Sequence, residues 1–430
     1  MKLHSNTICL KSFSVRTMKN LSFILYFSFP FIKLVFSFVL SKVGLSVWAT
    51  IAALFVTYLP VAVLLLVKPR SVKKDFFILY GIIAYFIFMT YLLHPEYAFW
   101  YKRSYYGVWD YVLRPDNGIF AYFFIRLIDD ADEIIKNMKR SAIMMYPYYA
   151  YLLLSALRRG YWITTDANGA TVRFSYDLSY GYNVLIYALV FLFCALKYKK
   201  LIDIVMAAAG IAMILLGGSR GPLLCVVIFI GLYILMTINN SKKKIYFFTI
   251  FTAIGVSLLL LYKKILHLII TVMDKLDVSS RTITMLLEGD IADDNGRDAI
   301  WGAAIEMIRD KPLGYGALGT RHVIYYVHDV GHCHEILLEM LVDFGVIFGT
   351  VLILFLIINA LRILFAKKYA AWSGVFLIFF SRACQLFLSG TYWHVTSFWA
   401  CIGIGICACL GSKKKGWKDL KKWLIQGRAM

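Results

Sequence analysis

The sequence predicts an all-α membrane protein, a polytopic transmembrane helical bundle of about twelve spans. Apolar residues make up 60% of the 430 residues and charged residues only 17%, and the mean hydropathy is +0.70. A soluble globular domain is typically about half apolar and about a quarter charged. Composition therefore excludes that class, and at about 20 residues per span the length allows about ten to thirteen helices.

Twelve apolar runs mark the predicted spans. They lie at 21–41, 44–67, 76–94, 118–128, 141–157, 180–196, 201–217, 221–238, 245–262, 336–361, 371–388 and 392–411. The run at 118–128 is the weakest, because it is short and acidic residues follow it. It is either a half-span or the start of an amphipathic helix.

The net charge of +21 is best explained by topology, because Lys and Arg collect on the cytoplasmic side of membrane proteins. If the N-terminus is cytoplasmic, the basic clusters at 68–74, 197–200, 242–244 and 413–415 all fall on that side. We therefore expect both termini in the cytoplasm, a multi-pass protein of the cytoplasmic membrane, and no nucleic-acid partner.

The predicted spans divide the chain into five parts. These are a basic cytoplasmic N-terminus (1–20), nine transmembrane helices (21–262), a large extracytoplasmic loop between spans 9 and 10 (263–335), three more helices (336–411) and a basic cytoplasmic tail (412–430). Because the polar residues concentrate in the outer segments, we expect the chemistry on the extracytoplasmic side, with catalytic residues in the large loop.

Two arginines next to glycines are candidate anion-binding residues. Arg220 lies in GGSRGP, where the glycines let a ligand approach the backbone and the guanidinium can bind phosphate through two hydrogen bonds. Arg297 is predicted in the first turn of a helix over 297–310 capped by Asn295, where free amides favour an anion. The alternatives are a snorkelling arginine at an interhelical turn for Arg220 and a solvated arginine for Arg297.

The segment HDVGHCHEILLEMLVDFG carries a histidine and a row of acidic residues at the start of a span. His334 stands where the loop re-enters the membrane. Glu335, Glu339 and Asp343 follow on one helical face. Arg382, in the next helix, reaches a similar depth, about 9 to 12 Å below the outer end. Acidic residues within spans are usually functional or paired, so Arg382 with Glu339 or Asp343 is a candidate buried pair, either structural or catalytic.

A metal site is the competing interpretation of the histidines. His328, His332 and His334 include a His-x-His pair, but no fourth ligand has tetrahedral spacing. We expect no metal and, without a Walker loop or a nucleophile elbow, no cofactor. The pair Asp130 and Asp132 is expected to be the solvated start of a cytoplasmic loop.

Three further outer features bear on substrate binding. Arg173 in TVRFSYDLSYG and His394 in SGTYWH are polar residues at helix ends, and each is expected to be structural or to line a substrate. The loop 95–117 is rich in Tyr and Trp. These rings could stack on sugars, but an interfacial aromatic belt is favoured.

Three stretches, in this order, carry a family resemblance: LLGGSRGP, NGRDAIWGAAIEMIRDKPLGYG and HEILLEMLVDFGVIFG. With the late SGTYW and the twelve-span layout, residues 160–410 resemble the O-antigen polymerase and O-antigen ligase superfamily of polyprenyl-diphosphate-dependent glycan transferases. The resemblance implies a GT-C-like helical fold and an inverting, metal-independent transfer from a lipid diphosphate. It also implies that Arg220 and Arg297 bind the diphosphate and that His334 acts as base or orients the acceptor.

The chain departs from the family pattern at two points. Glu335 follows the histidine where members often have Asn, Ser or Gln, and Gly345 and Gly349 are spaced one residue wider than in ligases. These departures favour a polymerase that joins undecaprenyl-diphosphate-linked repeat units into O-antigen, capsular or exopolysaccharide. The alternatives are a ligase that transfers the finished glycan to a lipid or protein acceptor, and a flippase or other transporter.

The expected active site has two groups of residues. The catalytic residues are His334, Arg220 and Arg297, and the substrate-binding residues are Arg173, Glu335, Glu339, Arg382 and His394. The partners are the undecaprenyl-diphosphate-linked oligosaccharide donor and acceptor and the lipid bilayer. A chain-length regulator and a flippase are further candidate partners.

Overall fold

The computed structural model describes most of the chain, and it is helical almost throughout. The described residues are 3–103, 106–116, 118–165, 171–174, 177–217, 219–238, 296–327 and 331–426, with isolated positions at 246, 249 and 271. Their α-helices are α1 (Leu3–Phe27), α2 (Phe29–Ser41), α3 (Ala49–Val67), α4 (Asp75–Leu93), α5 (Ala98–Tyr101), α6 (Phe120–Ile128), α7 (Ala131–Arg159), α8 (Leu178–Tyr198), α9 (Leu201–Leu216), α10 (Arg220–Thr237), α11 (Arg297–Asp310), α12 (Arg321–Ile324), α13 (Ile336–Phe344), α14 (Val346–Phe365), α15 (Ala370–Ala383) and α16 (Thr396–Gln426).

Shorter elements connect these helices. A two-stranded antiparallel sheet, β1 (Trp162–Thr165) and β2 (Thr171–Phe174), pairs Ile163 with Arg173. A turn of π-helix covers Trp109–Leu113, and 3₁₀ turns cover Ser46–Trp48, Pro69–Ser71, Pro95–Tyr97, Lys367–Tyr369 and Cys384–Phe387.

The multi-pass membrane fold predicted from composition is confirmed. Six segments of the described residues are long and apolar enough to cross a membrane: Ser46–Val67, Asp75–Leu93, Leu178–Tyr198, Arg220–Thr237, Val346–Phe365 and Lys367–Phe387. A bent pair, Val15–Phe27 with Phe29–Ser41, makes a seventh if it counts as one span, and α9 and Thr396–Gly411 are shorter apolar helices. The count of twelve stays a prediction, and the run 245–262 lies almost wholly outside the described residues.

The first predicted span, 21–41, is bent rather than straight. The axes of α1 and α2 differ by 77° across Ser28. Pro30 lies in the first turn of α2, where its missing N–H costs nothing, whereas it cannot continue α1 without losing a backbone hydrogen bond. The bend places Phe27 and Pro30 against an internal cavity described below.

The weak run at 118–128 is a buried half-length helix. The nine residues of α6 span about 14 Å at 1.5 Å per residue, about half of a bilayer core. The helix ends at Asp129 in the left-handed conformation, with φ 53°. Arg126 on α6 is buried and its Nη1 donates to Asp129 at 2.9 Å.

The predicted span 336–361 is broken at Gly345 into α13 and α14, so the expectation of one continuous helix is wrong. Gly345 has φ 77° and ψ 169°, a conformation open essentially to glycine alone. A Cβ at this position would lie 2.5 Å from the carbonyl carbon of Leu313. The break is therefore required by close backbone packing between α13 and the turn at residues 312–314.

The bundle has a buried centre and an apolar outer surface. In the most apolar 18-residue stretch of α8, 78% of the residues are buried, whereas in that of α14 only 17% are buried. The exposed side chains of α14 include Ile347, Phe348 and Phe355. An exposed apolar surface of this kind is what a lipid-facing helix presents.

Replacing Gly345 with alanine tests the break. Gly345→Ala should lower the free energy of unfolding by roughly 1–3 kcal/mol from backbone strain alone, with a further loss from the clash at Leu313. Gly231→Ala is the matched control, because a Cβ at Gly231 meets no atom within 4 Å and alanine is the better helix former. Thermal unfolding in detergent measures both, and an equal melting temperature for the two variants would contradict this account.

Candidate active site

A polar cavity of about 480 Å³ lies between the start of α8, the bend after α1 and the segments that flank α13 and α16. It brings together three of the predicted site residues, His334, Arg382 and His394. His332, Gln385, Ser389, Thr391 and the aromatic side chains of Tyr106, Tyr111, Tyr149, Tyr182 and Tyr187 also line it.

The position of His334 is fixed by its backbone and by one hydrogen bond. Its φ of 55° is in the left-handed region, which is uncommon for a residue other than glycine. The amide of Gly390 donates to its Nδ1 at 3.3 Å, and the His332 ring lies 4.2 Å away. Because an amide can only donate, Nδ1 is the accepting nitrogen, and the proton of the neutral ring is on Nε2. In this tautomer Nε2 donates a hydrogen bond and does not take up a proton.

Two buried carboxylates hold the segment that follows Gly390. Glu339 and Asp343 are each 1% exposed. Thr391 Oγ1 donates to Glu339 at 2.6 Å, while the Tyr392 hydroxyl at 2.5 Å and Trp393 Nε1 at 3.0 Å donate to Asp343. These bonds tie SGTYW to α13.

The predicted pairing of Arg382 with Glu339 or Asp343 is wrong. The Arg382 guanidinium donates to Gln385 and lies 5.3 Å from the Tyr182 ring. The Thr391, Tyr392 and Trp393 donors bind one oxygen of each carboxylate instead. Arg382 lines the cavity.

The cation beside the carboxylates is Arg321, which the sequence did not single out. Arg321 is 2% exposed, and its charge acts on both Glu339 and Asp343. Its Nη2 donates to the Tyr111 hydroxyl at 2.7 Å. Burial raises the pKa of Tyr111, so the phenol keeps its proton and can donate into the cavity. The two residues are 210 positions apart, which explains why no local motif marked Arg321.

Glu335 has a local structural role. Its carboxylate accepts hydrogen bonds from the amides of Leu337 at 3.1 Å and Leu338 at 2.7 Å, and it caps the N-terminus of α13. A side-chain oxygen at this position satisfies amides that have no partner within the helix. Glu335 does not line the cavity.

The two predicted diphosphate-binding arginines each begin a helix. Arg220 is the first residue of α10, and Arg297 is the first of α11, the helix predicted over 297–310. Neither lines the cavity directly, but Gly221 of α10 and Arg297 come near its lining residue Tyr182. A Cβ on Gly221 would collide with the Tyr182 hydroxyl, and the charge of Arg297 acts on the same hydroxyl. Asn295, the predicted cap of α11, lies outside the described residues.

Arg173 does not line this cavity. It is exposed on β2, with its guanidinium 4.8 Å from the Tyr161 ring. Arg159 lies over the same ring at 5.9 Å. The hairpin and the end of α7 thus form an exposed basic cluster, Arg158, Arg159 and Arg173.

The loop 95–117 is only in part the expected aromatic belt. Trp109 is exposed, but Trp100 is buried with its ring 4.5 Å from Tyr325. The same loop contributes an ion-paired cluster that the sequence did not suggest. Arg114 Nη1 donates to Asp110 at 2.6 Å, and its Nε donates to Asp116 at 2.8 Å.

A second, apolar groove of about 380 Å³ shares a bordering segment with the polar cavity. It lies among α10, α13, α14, α15 and α16. The segment 385–390 borders both spaces: Leu386 and Phe387 line the groove, whereas Gln385 and Ser389 line the cavity.

The competing metal-site interpretation concerns His328, His332 and His334. Within the part of the chain that the structure describes, no three His, Cys, Asp or Glu side chains are grouped to hold a metal ion. His328, one of the three histidines in that hypothesis, lies outside this part.

Comparison with known families confirms the resemblance drawn from the sequence. Residues 205–354 match the family Wzy_C, described as O-Antigen ligase. The matched segment includes Arg220, Arg297 and His334 and ends before Arg382. No curated protein and no solved structure matches the chain.

Removing the Thr391 hydroxyl tests the role of the buried carboxylates. Thr391→Val should lower the free energy of unfolding by about 1–3 kcal/mol, because it deprives a buried carboxylate of a donor. Thr237→Val is the control, since Thr237 is exposed and its hydroxyl donates only to its own helix. Thermal unfolding gives the melting temperature of both variants. An unchanged melting temperature for Thr391→Val would refute the role assigned to the bond between Thr391 and Glu339.

Proposed function

We propose that the protein is an integral membrane glycan polymerase. It would join undecaprenyl-diphosphate-linked oligosaccharide repeat units into a surface polysaccharide at the outer face of the cytoplasmic membrane. The observation that carries the proposal is that a polar cavity and an apolar groove share one bordering segment, 385–390. A lipid-linked sugar has the same division into a polar head and an apolar tail.

The groove suits the polyprenyl tail. Its lining is formed by apolar side chains of α13 to α16, among them Met340, Leu356 and Phe380. Burial of apolar surface stabilises by about 25 cal/mol per Å², so a long isoprenoid chain gains affinity there. The tail would leave the groove into the surrounding bilayer, and the diphosphate would lie where Leu386 gives way to Gln385.

The diphosphate would bind between Arg220, Arg297 and Arg382. Arg220 and Arg297 begin their helices, so free backbone amides accompany each guanidinium and add to the attraction for an anion. Arg297 and Arg382 come near Tyr182, as does Gly221, the residue that follows Arg220. An arrangement of fixed donors stabilises the charge that grows on a leaving diphosphate.

The proposed reaction is a single displacement with inversion. A hydroxyl of the acceptor sugar attacks the anomeric carbon of the donor, and the bond from that carbon to the diphosphate oxygen breaks. Undecaprenyl diphosphate leaves with the bonding electron pair. His334 would orient a substrate oxygen through its Nε2 proton, and the arginines would supply the charge stabilisation without a metal.

Charge distribution supports an extracytoplasmic site in a GT-C-like bundle of twelve spans. The helix α8 begins at the cavity and ends beside Lys197 and Lys200, and α15 begins after Lys367 and ends at Arg382. The lysine-rich ends are thus opposite the cavity. Because Lys and Arg favour the cytoplasmic side, the cavity and the loop 263–335 would face outward.

A polymerase is favoured over a ligase by the exposed basic cluster of Arg158, Arg159 and Arg173. A polymerase binds two anionic lipid-linked chains at once, and this cluster, away from the cavity, would attract the second. Ligase activity is the second candidate, because the matched family is described as O-Antigen ligase.

The diphosphate-binding role is tested by substitution. Arg220→Ala and Arg297→Ala should each lower turnover by about 10²- to 10³-fold, the range for loss of a transition-state donor. Lysine should restore little, because it lacks the planar fork of donors. Arg309→Ala, an exposed position on the same helix as Arg297, is the control. Turnover near the wild-type level in both alanine variants would remove these residues from the site.

The acceptor distinguishes the two candidate activities. Purified protein would receive only lipid-linked repeat units extracted from source cells that lack the gene. A polymerase should form a ladder of lengthened lipid-linked chains and release undecaprenyl diphosphate. If chains do not lengthen and glycan is transferred only after a lipid or protein acceptor is added, the ligase takes the place of the polymerase.

A further inference from the structure

One part of the cavity lining has no role in diphosphate binding. It comes from the segment 106–116, whose Tyr106, Tyr111, Arg114 and Asp116 line the cavity. The Asp116 side chain is 9% exposed. Arg114 is held between Asp116 and the buried Asp110, and the amide of Tyr106 donates to the second oxygen of Asp110 at 3.1 Å.

The charge of this part is opposite to that of the diphosphate site. Two carboxylates and one guanidinium, Asp110, Asp116 and Arg114, give it a formal charge of −1. The remainder of the lining includes Arg382 and three histidines. A diphosphate is repelled by the first part and attracted by the second. The acidic part therefore suits the uncharged region of a substrate, a sugar with free hydroxyl groups.

The displacement also requires a group that takes up the proton of the attacking hydroxyl. His334 does not meet this need in the tautomer that the Gly390 hydrogen bond requires, because Nδ1 accepts from Gly390 and Nε2 then carries a proton. His332 packs against His334, next to the proposed donor site. Asp116 is the cavity-lining carboxylate of the described acidic cluster, and a carboxylate can serve as general base.

We infer that Asp116 is the general base and that the segment 106–116 forms the acceptor-sugar subsite; this rests on the proposed function. As the acceptor oxygen bonds to the anomeric carbon, its proton passes to the Asp116 carboxylate and then to water. Arg114 and Asp110 are positioning residues that orient Asp116. The rings of Tyr111 and His394 lie 5.8 Å apart, measured between their centroids. The Tyr111 hydroxyl and the His394 ring would bind further hydroxyls of the acceptor.

The test measures binding and turnover separately on the full-length protein in lipid nanodiscs. The probe is the lipid-linked oligosaccharide extracted from source cells lacking the gene, with binding followed by native mass spectrometry and turnover by release of undecaprenyl diphosphate. Asp116→Asn should bind the lipid-linked oligosaccharide within about threefold of wild type, but its kcat should fall by about 10²- to 10⁴-fold, the range for loss of a general base. Asp116→Glu, which keeps a carboxylate, should recover at least about a tenth of wild-type turnover.

Two further variants complete the design. Glu96→Gln, like Asp116→Asn, removes one negative charge from the loop 95–117. Glu96 is exposed and does not line the cavity, so this variant should have wild-type turnover. His334→Gln keeps an acceptor for Gly390 and a donor, so it should remain at least about tenfold faster than His334→Ala.

Several outcomes would overturn the inference. Asp116→Asn with turnover within tenfold of wild type, or a Glu variant as slow as the Asn variant, would show that Asp116 is not the base. His334→Gln as slow as His334→Ala would return that role to His334. If the Asn variant does not fold, Asp116→Ser and Asp116→Glu decide by the same two measurements. A wild-type protein that releases no undecaprenyl diphosphate with any acceptor would instead contradict the proposed function, and this inference with it.

Discussion

The arrangement of the site depends on the burial of two carboxylates on one short helix. Glu339 and Asp343 are almost wholly inaccessible, and a carboxylate in such surroundings is very costly unless donors satisfy it. The donors come from Thr391, Tyr392 and Trp393. This requirement fixes the segment that carries Gly390, and Gly390 in turn fixes the ring of His334.

The same helix determines where the polar and apolar spaces meet. Since α13 ends at Gly345 after nine residues, its acidic face is turned to the SGTYW segment while Ile336 and Met340 line the groove. A continuous helix over 336–361 would satisfy the hydropathy pattern equally well. The difference comes from the contact of Gly345 with the backbone of Leu313.

Features set by local sequence were predictable, whereas those set by distant contacts were not. The helical membrane fold follows from composition, and the helix at 297–310 follows from its own local sequence. The family resemblance also follows from short motifs in order. By contrast, Arg382 was expected to pair with an acidic residue because depth along a helix is computable from sequence. Its partner, Gln385, is only three residues further along the chain, whereas a contact with Glu339 or Asp343 depends on the rotation of two helices about their axes. Arg321 and Asp116 were missed because their positions at the site depend on long-range packing, which no spacing rule encodes.

The central claim is that the polar cavity and the apolar groove bind the two halves of one lipid-linked substrate. A structure of the purified protein with undecaprenyl diphosphate bound tests this claim most directly. The account predicts the diphosphate beside Arg220 and Arg297 near Tyr182, and the first isoprene units between α13 and α15. A lipid bound at the lysine-bearing ends of α8 and α14, or a diphosphate held away from both arginines, would contradict it.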